Sequence, residues 1–394
     1  MYHILNGIRV LDLGRFISAP YCGMMLADMG AEVIKIERKG GEDGRELPPF
    51  APNGESLYVP SFNRNKKGIT LNTRSEQGKA LLRSLIEKSD VLIENFRPGV
   101  MVNMGLSYEE IEKINPRMIM VSISGYGQKG SYAQRGAFDM IVQATSGMMS
   151  VTGTPESGPV MLGTPFVDHL AGLFAAYGIM LALYDRQRTG KGKYLDLSMM
   201  DCAVPMLQTV IPAYSVNKTI PGRHGCIDPL TCPVNRYQAK DGYVMIHAGT
   251  DPLFARLITV IQDEQLKAEK YQDVKERIAD RQMIDKVISG WCMERNAEDI
   301  DEILTEAGIP CGVVNDIKQI FENPIAVQRD QLIEIGMPGI GKVHFGGNPV
   351  KFSQESDGTM NRAPYLGEHN VEIYHGLLGI GMEEIQNMER NDDI

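Results

Sequence analysis

Arg9-Val10-Leu11-Asp12-Leu13-Gly14 reads as a buried strand, Pro20 to Met29 as a helix closed by Gly30, and Ala31-Glu32-Val33-Ile34-Lys35-Ile36-Glu37 as a second strand. The same alternation continues downstream. Ile69-Thr70-Leu71 is a short strand, Ser75 to Ser89 an amphipathic helix, Asp90 to Glu94 a strand, Ser107 to Ile114 a helix stopped by Pro116, and Met118 to Ile123 another strand. Strands separated by helices predict an α/β fold with a parallel, Rossmann-like sheet wound by helices. Leu195 to Ser198 adds a strand, after Thr189-Gly190-Lys191-Gly192-Lys193 as a helix-to-strand turn.

At 394 residues the chain has room for more than one domain, and 43% hydrophobic with 23% charged residues is a globular composition. The predicted partition is a large domain from 1–215, a turn-rich linker over 216–233, and a smaller α+β domain over 234–320. Residues 321–394 form a second linker and return to the large domain. The small domain opens on a hairpin, Tyr237 to His247, with Asp241-Gly242 at its turn. A net charge of -10 argues against nucleic acid as a partner. The longest apolar stretch, Leu170 to Tyr184, contains small residues and suits a buried helix better than a membrane span. The N-terminus carries no signal-peptide pattern, so a cytoplasmic location is expected. The six cysteines are scattered, with Cys226 and Cys232 read as loop thiols, and no metal-like Cys/His cluster is present.

A nicotinamide-dependent oxidoreductase is the first suspicion raised by the opening βαβ pattern. It fails at the phosphate turn: Arg15-Phe16-Ile17-Ser18-Ala19-Pro20-Tyr21-Cys22 stands between Gly14 and Gly23, with no Gly-x-Gly-x-x-Gly. The chain also lacks a P-loop and a Gly-x-Ser-x-Gly nucleophile elbow. A different stretch carries chemistry. Gly136-Ala137-Phe138-Asp139-Met140-Ile141-Val142-Gln143-Ala144 sets one acid inside an apolar run. Read locally, Asp139 is a helix N-cap; a carboxylate in apolar surroundings is otherwise paired, hydrogen-bonded or used.

Several phrases in order resolve the choice. They are Gly30 to Glu37 followed by Arg38, Asn63-Arg64-Asn65-Lys66-Lys67-Gly68 leading to Asn72, Glu94-Asn95-Phe96-Arg97-Pro98-Gly99, and Ser124-Gly125-Tyr126-Gly127. Phe138-Asp139 before Gln143-Ala144, Thr189 to Gly192, Gly308 to Gly312 and Arg362 to His369 complete the series. Over essentially its whole length the chain resembles the class III CoA-transferases, the CaiB/BaiF family. The resemblance implies transfer of CoA between carboxylic acids, with acyl-CoA and a small carboxylic acid as substrates, no tightly bound cofactor, and an interlocked homodimer. It makes Asp139 the nucleophile, matches Arg38 to the nucleotide end of CoA, and places Asn95, Phe96 and Arg97 along the CoA site. Ser18 and Ala19 fall at the first strand-to-helix turn, where backbone donors would meet the substrate. Lys66 and Lys67 are candidate phosphate contacts. Gly125 and Gly127 are candidate oxyanion donors, and Gly249 lies in the loop expected to cover the site.

The competitor on the same fold is an α-methylacyl-CoA racemase, which needs a histidine where this chain has Phe138, although Asp168 occupies the region of its second acid. A non-catalytic CoA-binding module would leave Asp139 without a role. Tyr126, Phe138, Met140, Met148 and Met149 predict an apolar acid pocket suited to a bulky or aliphatic acid.

Overall fold

The computed structural model describes residues 2–353 and 360–394. The chain forms two compact units: Met1–Met149, Met161–Lys218 and Asp330–Ile394 make the first, and Ser150–Val160 with Thr219–Arg329 the second. Both chain ends therefore lie in the first unit. The excursion at residues 150–160 has no signal in the sequence pattern, and the second unit extends to Arg329 rather than 320.

The first unit is built from β1 (Arg9–Asp12), α1 (Ser18–Asp28), β2 (Glu32–Glu37), β3 (Lys67–Thr70), α2 (Glu76–Glu87), β4 (Val91–Glu94), α3 (Tyr108–Ile114), β5 (Ile119–Ser124), α4 (Asp139–Thr145), α5 (Phe166–Thr189) and β6 (Lys193–Ser198). These six strands form one sheet in the order β3-β2-β1-β4-β5-β6, with all neighbours parallel. Its strands β1, β2, β4 and β5 are almost wholly buried, as in a sheet covered on both faces, whereas the edge strand β6 is largely exposed. One face packs Val10, Val33, Ile93 and Val121 against the small residues of α1 and α5, including Ala19, Ala171, Ala175 and Ala176. Close approach of these helices requires Gly172, where a Cβ would lie 2.6 Å from the Ser18 carbonyl oxygen. The other face packs Leu11, Ile34, Leu82, Leu92 and Met120 with Ile373, Tyr374, Ile385 and Met388 from the C-terminal segment. That segment is pinned to β3: Gly68 N–H donates to His369 Nδ1 at 3.1 Å, and the Tyr374 hydroxyl to the Thr70 carbonyl at 2.6 Å.

Helix α5 outgrows the apolar stretch seen in the sequence, and at 24 residues it is long and apolar enough to cross a membrane by length and composition alone. Here one face of it lies in the core, and buried Arg186 near its end pairs with Asp90 at 2.9 Å. Gly190 in the left-handed region terminates it.

The second unit holds β7 (Val234–Gln238), β8 (Tyr243–His247), α6 (Asp251–Ile261), α7 (Arg281–Met293), α8 (Ala297–Glu306) and β9 (Cys311–Val313). Its antiparallel sheet runs β9-β8-β7, and Tyr237, Ile246, Phe254, Leu257, Ile288 and Leu304 form its core.

The reading of Lys66 as a phosphate contact is corrected here. Its ammonium is fully buried and all three protons are spent, on Asp12 Oδ2 at 2.7 Å, the Pro20 carbonyl at 2.7 Å and Asn63 Oδ1 at 2.8 Å. It is an internal tie between β1, α1 and the approach to β3. Lys67 is half-buried and bonded to Glu32 and Glu372, at 2.6 and 2.7 Å. Removing one partner of a buried pair strands the other charge, so Lys66→Met should lower unfolding free energy by about 3–5 kcal/mol in urea titrations. A variant of unchanged stability that only weakened CoA-ester binding would restore the phosphate role.

Candidate active site

In a doubly wound sheet the strand order reverses between β1 and β4, and the loops leaving the carboxyl ends of these strands open a crevice. A cavity of about 940 Å³ occupies that crevice. Its wall includes Gly14, Arg15, Phe16 and Ser18 after β1, Arg38 after β2, Asn72 and Arg74 after β3, Asn95 to Pro98 after β4, and Gly125 after β5. Arg135 to Phe138 and Asp168 complete the side toward α4 and α5.

Asp139 lies just beneath this wall, only 7% exposed. Phe138, not Asp139, is the N-cap, and Asp139 is the first residue of α4. One oxygen of its carboxylate reaches the start of α5, and the other is held from its own helix. Oδ1 accepts from Val167 N–H at 2.6 Å and Asp168 N–H at 3.2 Å, and Oδ2 from Gln143 Nε2 at 2.5 Å. Free N–H groups and the positive end of a helix dipole hold an anion there without a cation. Gln143 sits one turn along α4 from Asp139, and its amide is oriented by Leu162 N–H donating to Oε1 at 2.9 Å. Gln143 falls in the motif around Asp139, and its i+4 spacing from that acid is the signal the sequence carries for this bond.

Asp168 is the second carboxyl at this helix start. Burial, then the charge of Asp139, pushes its pKa up to about 7, against a hydrogen bond from Ser18 that pulls it down. Ser18 Oγ in turn accepts from Asn95 Nδ2 at 3.1 Å. Asn95 is otherwise spent on the β1 loop, accepting from Arg15 N–H and donating to the Arg15 carbonyl, both at 2.8 Å. It shapes the cavity rather than offering free donors to a ligand. Glu94 beneath it is likewise pushed up to about 7, by burial, and accepts from Phe96 N–H at 2.7 Å.

The cavity wall gathers Arg15, Arg38, Arg74, Lys79, Arg97 and Arg135. Arg15 and Arg38 share Asp43, at 2.7 and 2.6 Å. Arg74, Arg97 and Arg135 have no carboxylate partner among the described residues. Arg97 reaches the turn before Asp139, since a Cβ on Gly136 would stand 3.8 Å from its Nη2, and Arg135 in that turn stacks over the Tyr132 ring at 4.9 Å. Dispersed in sequence, these cations give no local basic signal.

The other expected residues divide as follows. Ser18, Arg38, Asn95, Phe96, Arg97 and Gly125 all reach the cavity wall. Ala19 is fully buried in the core and does not. At Gly125 a Cβ would fall 2.1 Å from that of Ala137, so glycine is required for the Asp139 loop to pack on β5. Gly127 has φ +87°, a left-handed turn position, and lies outside the wall. Gly249 belongs to the second unit, where it packs on Thr231 and Val234 and its carbonyl accepts from buried Arg277 at 2.8 Å. Of the expected apolar pocket only Phe138 lines the cavity; Tyr126, Met140, Met148 and Met149 do not. Among the described residues no cluster of His, Cys, Asp or Glu is arranged to hold a metal ion.

The sequence pattern of CoA-transferase family III matches residues 5–370. The chain belongs to that family. Succinyl-CoA–D-citramalate CoA-transferase of Chloroflexus aurantiacus is 34% identical over 384 residues, covering 97% of this chain and 96% of that protein. Succinyl-CoA:glutarate CoA-transferase of Mus musculus is 35% identical over 380 residues, covering 95% and 86%. A crystal structure of a CaiB/BaiF family protein from Brucella suis superposes with a TM-score of 0.86 at 32% identity, covering 95% of this chain and 99% of that one. The protein is thus an enzyme, a class III CoA-transferase.

The proton on Asp168 has a thermodynamic consequence in this transferase. An unfolded aspartate releases its proton near pH 4. Native Asp168 keeps it to about pH 7, facing Asp139 from α4, Ser18 from α1 and Tyr58. Over that interval the native state binds the extra proton, so this group lowers stability as pH rises from about 4 to 7 and contributes a constant penalty above. Asp168→Asn should therefore gain on wild type across that window, by on the order of 2 kcal/mol at pH 8 after allowance for partial exposure. Melting curves at pH 4.5, 6 and 8 read this; a difference that shrinks with pH would contradict the assignment.

Proposed function

We propose that the enzyme moves CoA from succinyl-CoA to a four- or five-carbon dicarboxylic acid through covalent intermediates on Asp139. What supports the covalent role is the placement of the Asp139 carboxylate beside the cavity, bound to the N–H groups of Val167 and Asp168. Asp139 Oδ2 attacks the thioester carbonyl, the C–S bond breaks, and a mixed anhydride and CoA thiolate form. The thiolate attacks the Asp139 carbonyl, releasing the donor acid as its carboxylate and leaving an aspartyl-CoA thioester. An acceptor carboxylate attacks that thioester, and the two steps run in reverse to give the new acyl-CoA. No net proton is consumed, so the site needs no separate general base. The N–H groups of Val167 and Asp168 hold Oδ1 and stand where negative charge grows when the Asp139 carbonyl becomes tetrahedral.

The dicarboxylate assignment rests on the relatives' names and on the cationic wall, and it replaces the bulky apolar acid expected from the sequence. Arg74, Arg97 and Arg135 supply guanidinium groups for the phosphates of CoA and for a distal carboxylate. We further propose a homodimer in the cytoplasm. The outer face of α5 exposes Leu173, Tyr177, Met180, Leu181 and Tyr184, a contiguous apolar stripe of the kind that interfaces cover, and all six cysteines are free thiols.

The test is peptide mass spectrometry after mixing the enzyme with succinyl-CoA and hydroxylamine. A hydroxamate on Asp139 is expected, and Asp139→Ala should lose it together with transfer to malate, citramalate, mesaconate and glutarate, by at least about 10³-fold in kcat. No adduct, with exchange of the α-proton of an acyl-CoA into heavy water instead, would give the site to the racemase reaction. In the same assay Gln143→Ala frees Oδ2 from its amide and should lower kcat by about 10- to 100-fold with KM little changed. An equal loss of stability and activity in that variant would reduce Gln143 to a structural bond.

A further inference from the structure

Five main-chain groups of the loop between β1 and α1 are held by side chains. Gly14 N–H donates to Asp12 Oδ1 at 2.8 Å, and Lys35 Nζ donates to the Gly14 carbonyl. Asn95 takes both polar groups of Arg15, and Phe16 N–H donates to Glu42 Oε2 at 3.0 Å. Glu42 is itself buried beside Lys35, 3.4 Å away. This clamp forces Phe16 to φ +62°, the left-handed region. That conformation costs a non-glycine residue about 1 kcal/mol or more and is natural for glycine or asparagine.

Core burial does not explain a phenylalanine there, because Phe16 is only half-buried and its ring lines the cavity. The ring meets Phe138 edge-on, with centroids 6.5 Å apart and planes at 81°. Phe138 also lines the cavity and immediately precedes Asp139. The strain and the buried Glu42 charge thus present an aromatic pair beside the nucleophile.

We propose that Phe16, positioned by Glu42, forms with Phe138 a water-excluding wall that sets the ratio of CoA transfer to hydrolysis. The inference rests on the covalent mechanism above. Water entering would attack the aspartyl-CoA carbonyl, break its C–S bond and release CoA thiol, while the Asp139 carboxylate is regenerated. The acyl-CoA would then be hydrolysed in net, with no transfer.

Phe16→Gly removes the ring and relieves the backbone strain, so its melting temperature should equal or exceed that of wild type. With succinyl-CoA and a dicarboxylate acceptor, released CoA thiol against new acyl-CoA should rise about tenfold, equivalent to ~1.4 kcal/mol between the two barriers. Glu42→Gln keeps an acceptor for Phe16 N–H and should shift the ratio less than Glu42→Ala, which frees the loop. A wild type that transfers, beside a Phe16→Gly variant in which transfer and hydrolysis fall in parallel or their ratio is unchanged, overturns this inference alone. A wild type that transfers with none of the donors overturns the proposed function and this inference with it.

Discussion

The carboxylate of Asp139 is held by the first free N–H groups of a 24-residue helix, and the rest of the site is arranged around that bond. A helix start stabilises an anion through unsatisfied donors and the peptide dipole, without the tight cation that would quench a nucleophile. The bond also fixes direction. Asp139 opens α4, yet its side chain is claimed by α5, so two segments nearly thirty residues apart in sequence must meet for the group to be aimed. Gln143 closes the other side with an amide whose orientation Leu162 dictates. One helix start then serves two carboxyls, Asp139 through its acceptor oxygen and Asp168 through its position in the first turn. Two negative charges so close, in partial burial, raise the cost of ionising the second.

A second constraint runs beneath the cavity. The loop after β1 approaches the site with its backbone, and its main-chain groups must be satisfied by the side chains packed around it, three of which also line the cavity. Asp12, Lys35, Glu42 and Asn95 do this. Burying those charges requires partners, which accounts for Lys66 under Asp12 and for Arg45 on Glu37 at 2.6 Å. The internal ion pairs, the reversed role of Lys66 and the left-handed Phe16 are consequences of one requirement, a rigid loop at the carboxyl end of β1. Of the cations named on the cavity wall, Arg15 belongs to this loop, and the others follow β2, β3 and β4 or stand in the turn before Asp139.

The parallel sheet was legible because strands buried on both faces must be apolar throughout, and the helices between them announce their ends with Ser75, Ser107 and Gly190. The local pattern at Asp139 is that of a helix opening, which the structure bears out in placing it first in α4; its candidacy for chemistry came from the series of motifs around it. The Lys66-Lys67 doublet misled because adjacent lysines read as a solvated surface, and nothing within ten residues of them reveals that Asp12 waits inside. Arg15, Arg74 and Arg135 went unread for the converse reason, each being an isolated cation until three loops converge.

What the sequence determined by itself is most of the elements of the first unit and their parallel arrangement, since these follow from periodicity, capping residues and turns a few residues long. Tertiary structure alone decided which charges are buried ties and which face the cavity. It also decided that an oxygen of Asp139 belongs to a helix begun 27 residues later, and that burial beside Asp139 raises the pKa of Asp168. The physical reason is range. Backbone propensity and hydrophobic pattern act over one or two turns, whereas the charge state of a group and the direction of its hydrogen bonds are set by whatever the fold brings within a few ångströms.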